Sequence, residues 1–223
     1  MKPKVLFGYI LLCIIWGTTW LILKKSLMDG TPPFFGAGMR FIIAGSLLWI
    51  AIIYSKNFPP FGPLPIKIYF QFGVLNLTIS YGLTYWATQY IYSSLSSIIW
   101  SGFPLTVAVF SYFMLKPKDM SLKKVFSLIL GTSGAFLILF ESINLSGDRV
   151  TIGIIMVIIA VIIASYPSVY LKKHSDVVSS LHINAVSQLL AGTLLLFLSY
   201  LVEANQNMNW SNYNIFALIY LTI

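Results

Sequence analysis

Leu23-Lys24-Lys25 followed by Ala44-Gly45-Ser46-Leu47-Leu48, and Leu171-Lys172-Lys173 followed by Ala191-Gly192-Thr193-Leu194-Leu195, are the passages whose likeness decides the fold. The lysine pairs lie 148 residues apart and the Ala-Gly pairs 147, so one single-residue gap aligns the two copies. In each copy the lysine pair closes a long apolar run and the Ala-Gly passage belongs to the next. Five apolar runs separate equivalent points, and an odd number reverses the direction in which the second copy crosses a bilayer. The spacing therefore predicts an inverted repeat, an arrangement that places a site between two halves able to rock about it.

Composition agrees with a bilayer environment. The chain is 58% hydrophobic and 9% charged, with a mean hydropathy of +0.85. Soluble domains carry about 25% charged residues. The net charge of +8 does not point to nucleic acid, because the basic residues sit in short connections beside apolar runs, as bilayer orientation requires. Cys13 is the single cysteine and lies within the first run, which leaves no disulfide framework and no cysteine metal site. The first run is too long for a secretory signal and ends in Lys24-Lys25 without a small-residue cleavage site.

Seven runs are long enough to span: Val5–Leu23, Gly36–Tyr54, Ile68–Ala87, Leu95–Leu115, Val125–Phe140, Ile152–Leu171 and Ile183–Val202. An eighth begins at Ile215 and reaches Ile223, too short to cross about 30 Å of hydrocarbon. The expected fold is all-α, a polytopic membrane helix bundle with seven full spans plus the start of an eighth. It divides into residues 1–145, a first five-helix unit, and 150–223, an incomplete second one. Asn57 to Pro65, with Pro59, Pro60 and Pro63, reads as a stiff turn. With the N-terminus inside, ten basic residues fall on the inner side. Only Lys24, Lys25, Arg40 and Arg149 fall on the outer side, so Met1 is expected in the cytoplasm.

Polar groups within spans are costly unless they face protein or water. Asn76, Ser80, Thr84 and Thr88 recur every four residues and are expected to line a cavity, with Tyr81, Tyr85 and Gln89 beside them. Trp16, Thr19 and Trp20 come from the first span, Ser97, Trp100, Ser101 and Pro104 from the fourth, and Ser165, Tyr166 and Tyr170 from the sixth. Pro104 and Pro167 are each expected to unwind a turn. Lys24, Lys25 and Arg40 are either snorkelling anchors or a cationic mouth. Ser127, Gly131 and Ala135 form a small-residue seam suited to close helix contact. Tyr54, Tyr90 and Tyr92 read as interfacial. His182 reads as a surface histidine. No metal-ligand spacing, nucleophile elbow or phosphate loop occurs, so neither an enzyme nor a cofactor is expected.

Several of these passages together resemble the EamA branch of the drug/metabolite transporter superfamily. They are Ile15-Trp16-Gly17-Thr18-Thr19-Trp20 before Lys24, and Pro32-Pro33 leading to Arg40-Phe41. Tyr81-Gly82-Leu83-Thr84-Tyr85-Trp86-Ala87, then Gln89-Tyr90-Ile91, Ser93 to Ser97 and Pro104-Leu105, complete the set. The resemblance implies two inverted five-span repeats, the second incomplete here, and export of a small metabolite by alternating access. Lys116-Pro117-Lys118-Asp119 departs from the family pattern, which carries an acidic residue nearer the fourth span. On this reading the solute meets Trp16, Trp20, Lys24, Arg40, Asn76, Ser80, Tyr81, Thr84, Tyr85, Trp100, Pro104 and Tyr166. Aromatic walls suit amino-acid-like or heterocyclic solutes, and the cations attract a carboxylate. The expected partners are the lipid bilayer, the solute, and either a second copy or a missing C-terminal complement; nucleic acid is not among them. A seven-helix receptor or scaffold is the alternative, and it requires an outward N-terminus that the charge count opposes.

Overall fold

The computed structural model describes residues 3–115, 122–140, 148–203 and 207–222, which form helices and no strands. We name them α1 (Pro3–Met28), α2 (Pro33–Ser55), α3 (63–88), α4 (Ser93–Leu115), α5 (Leu122–Phe140), α6 (Asp148–Lys173), α7 (Ser180–Val202) and α8 (Asn212–Thr222). Among the described residues, α1, α2, α4, α6 and α7 have segments long and apolar enough to cross a bilayer. The chain is a multi-pass membrane protein. The Lys116–Asp119 passage lies outside the described residues.

Prolines start two of these helices. Pro33 opens α2, and Pro63 and Pro65 fall in the first turn of α3, where a missing N–H costs no hydrogen bond. The stiff turn expected over Asn57 to Pro65 therefore stops at Gly62. Ser179 caps α7 by accepting from the His182 N–H at 3.2 Å. His182 itself is buried, contrary to the surface position expected from sequence, with Nε2 2.8 Å from the Asn57 carbonyl oxygen. That bond fastens the α2–α3 turn to α7.

The centre of the bundle is the antiparallel contact of α2 with α7. A Cβ added to Gly38 would lie 2.8 Å from Leu196, one on Gly45 2.9 Å from Leu189, and one on Gly192 2.8 Å from the Ile42 backbone nitrogen. Seven residues forward along α2, from Gly38 to Gly45, match seven back along α7, from Leu196 to Leu189. Only glycine lets the two backbones come this close. The glycines of the repeated Ala-Gly passages are thus both in the seam. Their contacts are reciprocal: Gly45 meets Leu189, and shifting both partners by the repeat spacing gives Gly192 meeting Ile42.

α3 changes its winding midway. Pro63–Gln71 and Tyr81–Thr88 are α-helical, while Phe72–Ser80 between them is a π-helix. The Tyr81 N–H donates to the Asn76 carbonyl and the Thr78 hydroxyl to the Gly73 carbonyl at 2.9 Å, both five residues back. The wider turn there changes which residues share a face from those a continuous α-helix would align. In α4 a turn at Gly102 separates Ser93–Ser101 from Phe103–Leu115, with Pro104 starting the second piece, as its proline predicts. Pro167 behaves otherwise: α6 continues through it without a break. In the small-residue seam expected on α5, a Cβ on Gly131 would meet nothing within 4 Å and Ser127 is exposed, while the Ala135 side chain lies outside the described residues. Tyr54 and Tyr92 are exposed at helix ends, as interfacial residues are.

Hydrogen bonds concentrate at the end holding the α1–α2 and α7–α8 connections. Asn214, wholly buried, donates to the Asp29 and Asn209 carbonyls at 3.2 and 2.9 Å and accepts from the Ser26 hydroxyl at 2.9 Å. Ser211 donates to the Asp29 carboxylate. Glu203 accepts from the Phe34 and Phe35 N–H groups at 2.9 and 3.0 Å, satisfying the unpaired donors at the start of α2.

Candidate functional site

A cavity of about 270 Å³ opens between the helices. α1 supplies Ile15, Trp16, Thr19, Trp20 and Leu23, α2 supplies Arg40, α3 supplies Tyr81, Thr84 and Tyr85, and α4 supplies Trp100. Gln188 of α7 and Tyr220, Leu221 and Thr222 of α8 complete the wall. A neighbouring opening of about 390 Å³ shares Trp16, Tyr81 and Trp100 and adds Asn76, Ser101, Phe103 and Pro104. Both repeat units, as read from the sequence, contribute.

Arg40 is the cation of the cavity. Its guanidinium donates to the Tyr85 hydroxyl at 3.2 Å and lies 5.9 Å from the centre of the Tyr81 ring. No acidic side chain lines the cavity or pairs with it among the described residues. Trp100 is the hub of the aromatic wall, with ring centres 6.2 Å from Trp20, 6.1 Å from Tyr81 and 5.8 Å from Phe103. Its indole N–H donates to the Thr84 hydroxyl at 3.3 Å, which fixes the ring's tilt. Gln188 Oε1 and Ser80 Oγ are buried without a hydrogen-bond partner. Among the described residues no group of His, Cys, Asp and Glu is arranged to hold a metal.

Residues 3–140 match the EamA-like transporter family, more than half of the chain. The protein is a member of the EamA-like transporter family. An uncharacterized transporter of Buchnera aphidicola is 29% identical over 99% of this chain and 73% of its own length. Protein PagO of Salmonella typhimurium is 30% identical over 99% of this chain and 72% of its own. A more distant relative is the S-adenosylmethionine/S-adenosylhomocysteine transporter of Chlamydia muridarum, 28% identical over 91% of this chain and 65% of its own length. A solved crystal structure overlays with a TM-score of 0.70, covering 94% of this chain and 74% of that one at 18% identity, and so shares the fold.

In this EamA-like transporter, Trp16, Trp20, Arg40, Tyr81, Thr84, Tyr85 and Trp100 come together in the cavity that holds Arg40, and Asn76 and Pro104 in its neighbour. Three expected residues sit elsewhere. Lys24 donates to the Thr88 and Gln89 carbonyls at 2.9 and 2.8 Å and so caps the C-terminal end of α3. Tyr166 packs on Phe110 and Tyr170 and lines neither opening. Ser80 is wholly buried, as is Thr88, and neither lines either opening. Of the three cations expected there, Lys24 caps α3, Lys25 lies over the Tyr213 ring at 4.4 Å, and Arg40 faces the cavity. Sequence reasoning missed Gln188 and Tyr220, although Ser180, Asn184 and Gln188 recur every four residues along α7 and could have marked the first of them. Glu203, at the C-terminal end of α7, holds the start of the helix that bears Arg40.

Proposed function

We propose that the chain is a carrier for a small organic solute with amino-acid-like character, working by alternating access between inverted units 1–145 and 150–223. The observation that carries this reading is the cavity itself, walled by both units and holding Arg40 with no acidic partner among the described residues. The reciprocal contacts of Gly45 with Leu189 and Gly192 with Ile42 support a pseudo-twofold axis through the α2–α7 seam, about which two halves can rock. The charge count supports a cytoplasmic N-terminus in the cell membrane. In that orientation the hydrogen bonds around Asp29, Asn214 and Glu203 seal the outer end, and the opening beside Asn76 and Pro104 leads inward. Export follows the family resemblance. A relative that carries a nucleoside bearing an amino-acid moiety is in keeping with this solute class.

The test is a solute-flux screen in cells and in proteoliposomes, comparing the native protein with Arg40→Ala. The expected outcome is saturable flux that falls roughly tenfold or more in the variant, because a charge-assisted hydrogen bond is lost, while membrane insertion is unchanged. Undiminished flux in Arg40→Ala removes Arg40 from the solute site. Met1 labelled from outside the cell reverses the orientation.

A further inference from the structure

We infer that Gln188, in the cavity taken above as the solute site, accepts a hydrogen bond from the end of the solute remote from its carboxylate. It thereby selects aromatic solutes that carry a donor at that end, such as a phenol or an aromatic amine. Helix register fixes where Gln188 stands. In the α2–α7 seam Gly38 meets Leu196, Ile42 meets Gly192 and Gly45 meets Leu189, so the α7 residue level with Arg40 is Leu194. Gln188 lies six residues back along α7, about 9 Å along the helix axis. The contacts of α3 agree. A Cβ on Gly82 would lie 3.2 Å from Leu195, and one on Gly73 3.2 Å from the Ser187 carbonyl. Arg40, which donates to the Tyr85 hydroxyl and lies by the Tyr81 ring, is therefore near the Gly82 level, and Gln188 near that of Gly73. One cavity is lined by both, so its long direction runs from Arg40 toward the start of α7.

The two ends ask opposite things of a solute. Arg40 offers donors and accepts nothing. Gln188 offers an acceptor: its Oε1 is buried and receives no hydrogen bond among the described residues. A buried acceptor left unpaired is costly, and a solute that brings an N–H or O–H to it removes that cost. An ether or a second carboxylate at this end would set acceptor against acceptor. The α-amine of an amino-acid-like solute adjoins the carboxylate and cannot reach from Arg40 to Gln188, so the donor read here belongs to the side chain. Between the ends runs the aromatic wall of Trp20, Tyr81 and Trp100, against which a ring makes edge and offset contacts. The repeat offsets of 148 and 147 carry Arg40 to Gln188 or to its neighbour Ser187. The two polar ends thus stand on either side of the pseudo-twofold axis proposed above, and a solute that fills both touches one residue from each unit.

The experiment compares four amino acids that differ only at the para position of the ring. Binding to the purified protein is read by isothermal titration calorimetry, with protein-free micelles as the blank. L-tyrosine and 4-amino-L-phenylalanine carry a donor, O-methyl-L-tyrosine an acceptor alone, and L-phenylalanine neither. We expect the two donor probes to bind roughly tenfold more tightly than L-phenylalanine, and O-methyl-L-tyrosine no more tightly than it. Gln188→Met, close in volume but without the acceptor, brings the ratio of L-tyrosine to L-phenylalanine affinity to about one, whereas Gln188→Glu keeps the donor probes ahead. A purely structural role would weaken all four probes together and leave their ratios standing. Donor probes no tighter than L-phenylalanine, or an advantage that survives in Gln188→Met, overturns the inference and leaves the carrier reading standing. O-methyl-L-tyrosine matching L-tyrosine overturns the hydrogen bond in favour of ring size. No saturable binding of any probe overturns the inference outright, and the flux screen then decides the carrier reading separately. If Gln188→Met does not purify as a folded protein, the ranking on the native chain decides by itself.

Discussion

α1 and α6 both carry Leu-Lys-Lys near their C-terminal ends and are nearly equal in hydropathy, yet one is bare and the other enclosed. Val157, Ala160, Val161, Ala164 and Val169 of α6 are all buried, pressed between α3 and α4. On α1 the residues from Val5 to Leu12 are exposed, and a Cβ on Gly8 or Gly17 would meet nothing within 4 Å. The second half of α1 is held, by α8 through Thr18, Ser26 and the buried Leu23 and Leu27, by α4 through Trp20 on Trp100, and by α3 through Lys24. Apolarity qualifies both helices for a bilayer, but neighbours decide how much of each faces lipid. In lipid an apolar side chain gains nothing from leaving water a second time, so helix contact there depends on shape and on polar bonds.

The largest effect expected from this contrast is at paired glycines. Gly153 of α6 would bring a Cβ within 2.8 Å of Ile91 and 3.3 Å of the Ala87 carbonyl, so Gly153→Leu should cost about 3 kcal/mol through overpacking. Gly17→Leu on α1 should change stability by less than about 0.5 kcal/mol. Thermal unfolding of both variants in detergent checks this, and equal losses would break the comparison.

Next is the one end of α1 that is anchored. Asn214→Leu removes three side-chain hydrogen bonds and leaves the Ser26 hydroxyl with Thr31 as its one remaining side-chain partner, at a cost of about 2 kcal/mol. Hydrogen exchange should quicken in the last turns of α1 while α6 keeps its protection. Protection lost equally in both helices would show that the anchor is not local.

Labelling sharpens the same contrast inside the cavity. After Cys13→Ser, cysteines replacing Asn76 and Thr84 should react with a water-soluble thiol reagent, because both residues line an opening. Cysteines replacing the wholly buried Ser80 and Thr88 should stay unreacted. Equal reaction at all four would return α3 to a simple four-residue stripe. The smallest effect separates the two lysine pairs. Lys24→Met loses two bonds to carbonyls and should cost about 1 kcal/mol. Lys172→Met, at an exposed position, should be neutral in the same melts.

Much of the fold was legible because a membrane writes each span locally. A run of about 20 apolar residues is a helix wherever it lies, since lipid leaves no other way to satisfy its backbone. The expected runs accordingly fall within α1 to α8, with Ile223 beyond the described residues. The aromatic and Arg40 contributions to the cavity were legible for a related reason, as large polar-tipped residues within apolar runs are few. The repeated Ala-Gly passage was visible as a pattern, although its work as the α2–α7 seam was not.

Tertiary structure alone decided which faces meet. The π segment of α3 depends on i to i+5 bonds that no residue spacing announces, and Asn76 and Tyr81 line an opening while Ser80 is buried. Lys24 became a cap because the end of α3 lies beside α1, and Tyr166 left the site because Phe110 and Tyr170 lie beside it. Gln188, Tyr220 and Glu203 acquired their places from helices far off in sequence. The sequence by itself determined where the chain is helical and apolar, since burial in lipid is a property of each segment alone. Which polar groups are paired, free or enclosed is a property of pairs of segments, and that is why only the packed bundle shows Arg40 with donors to spare.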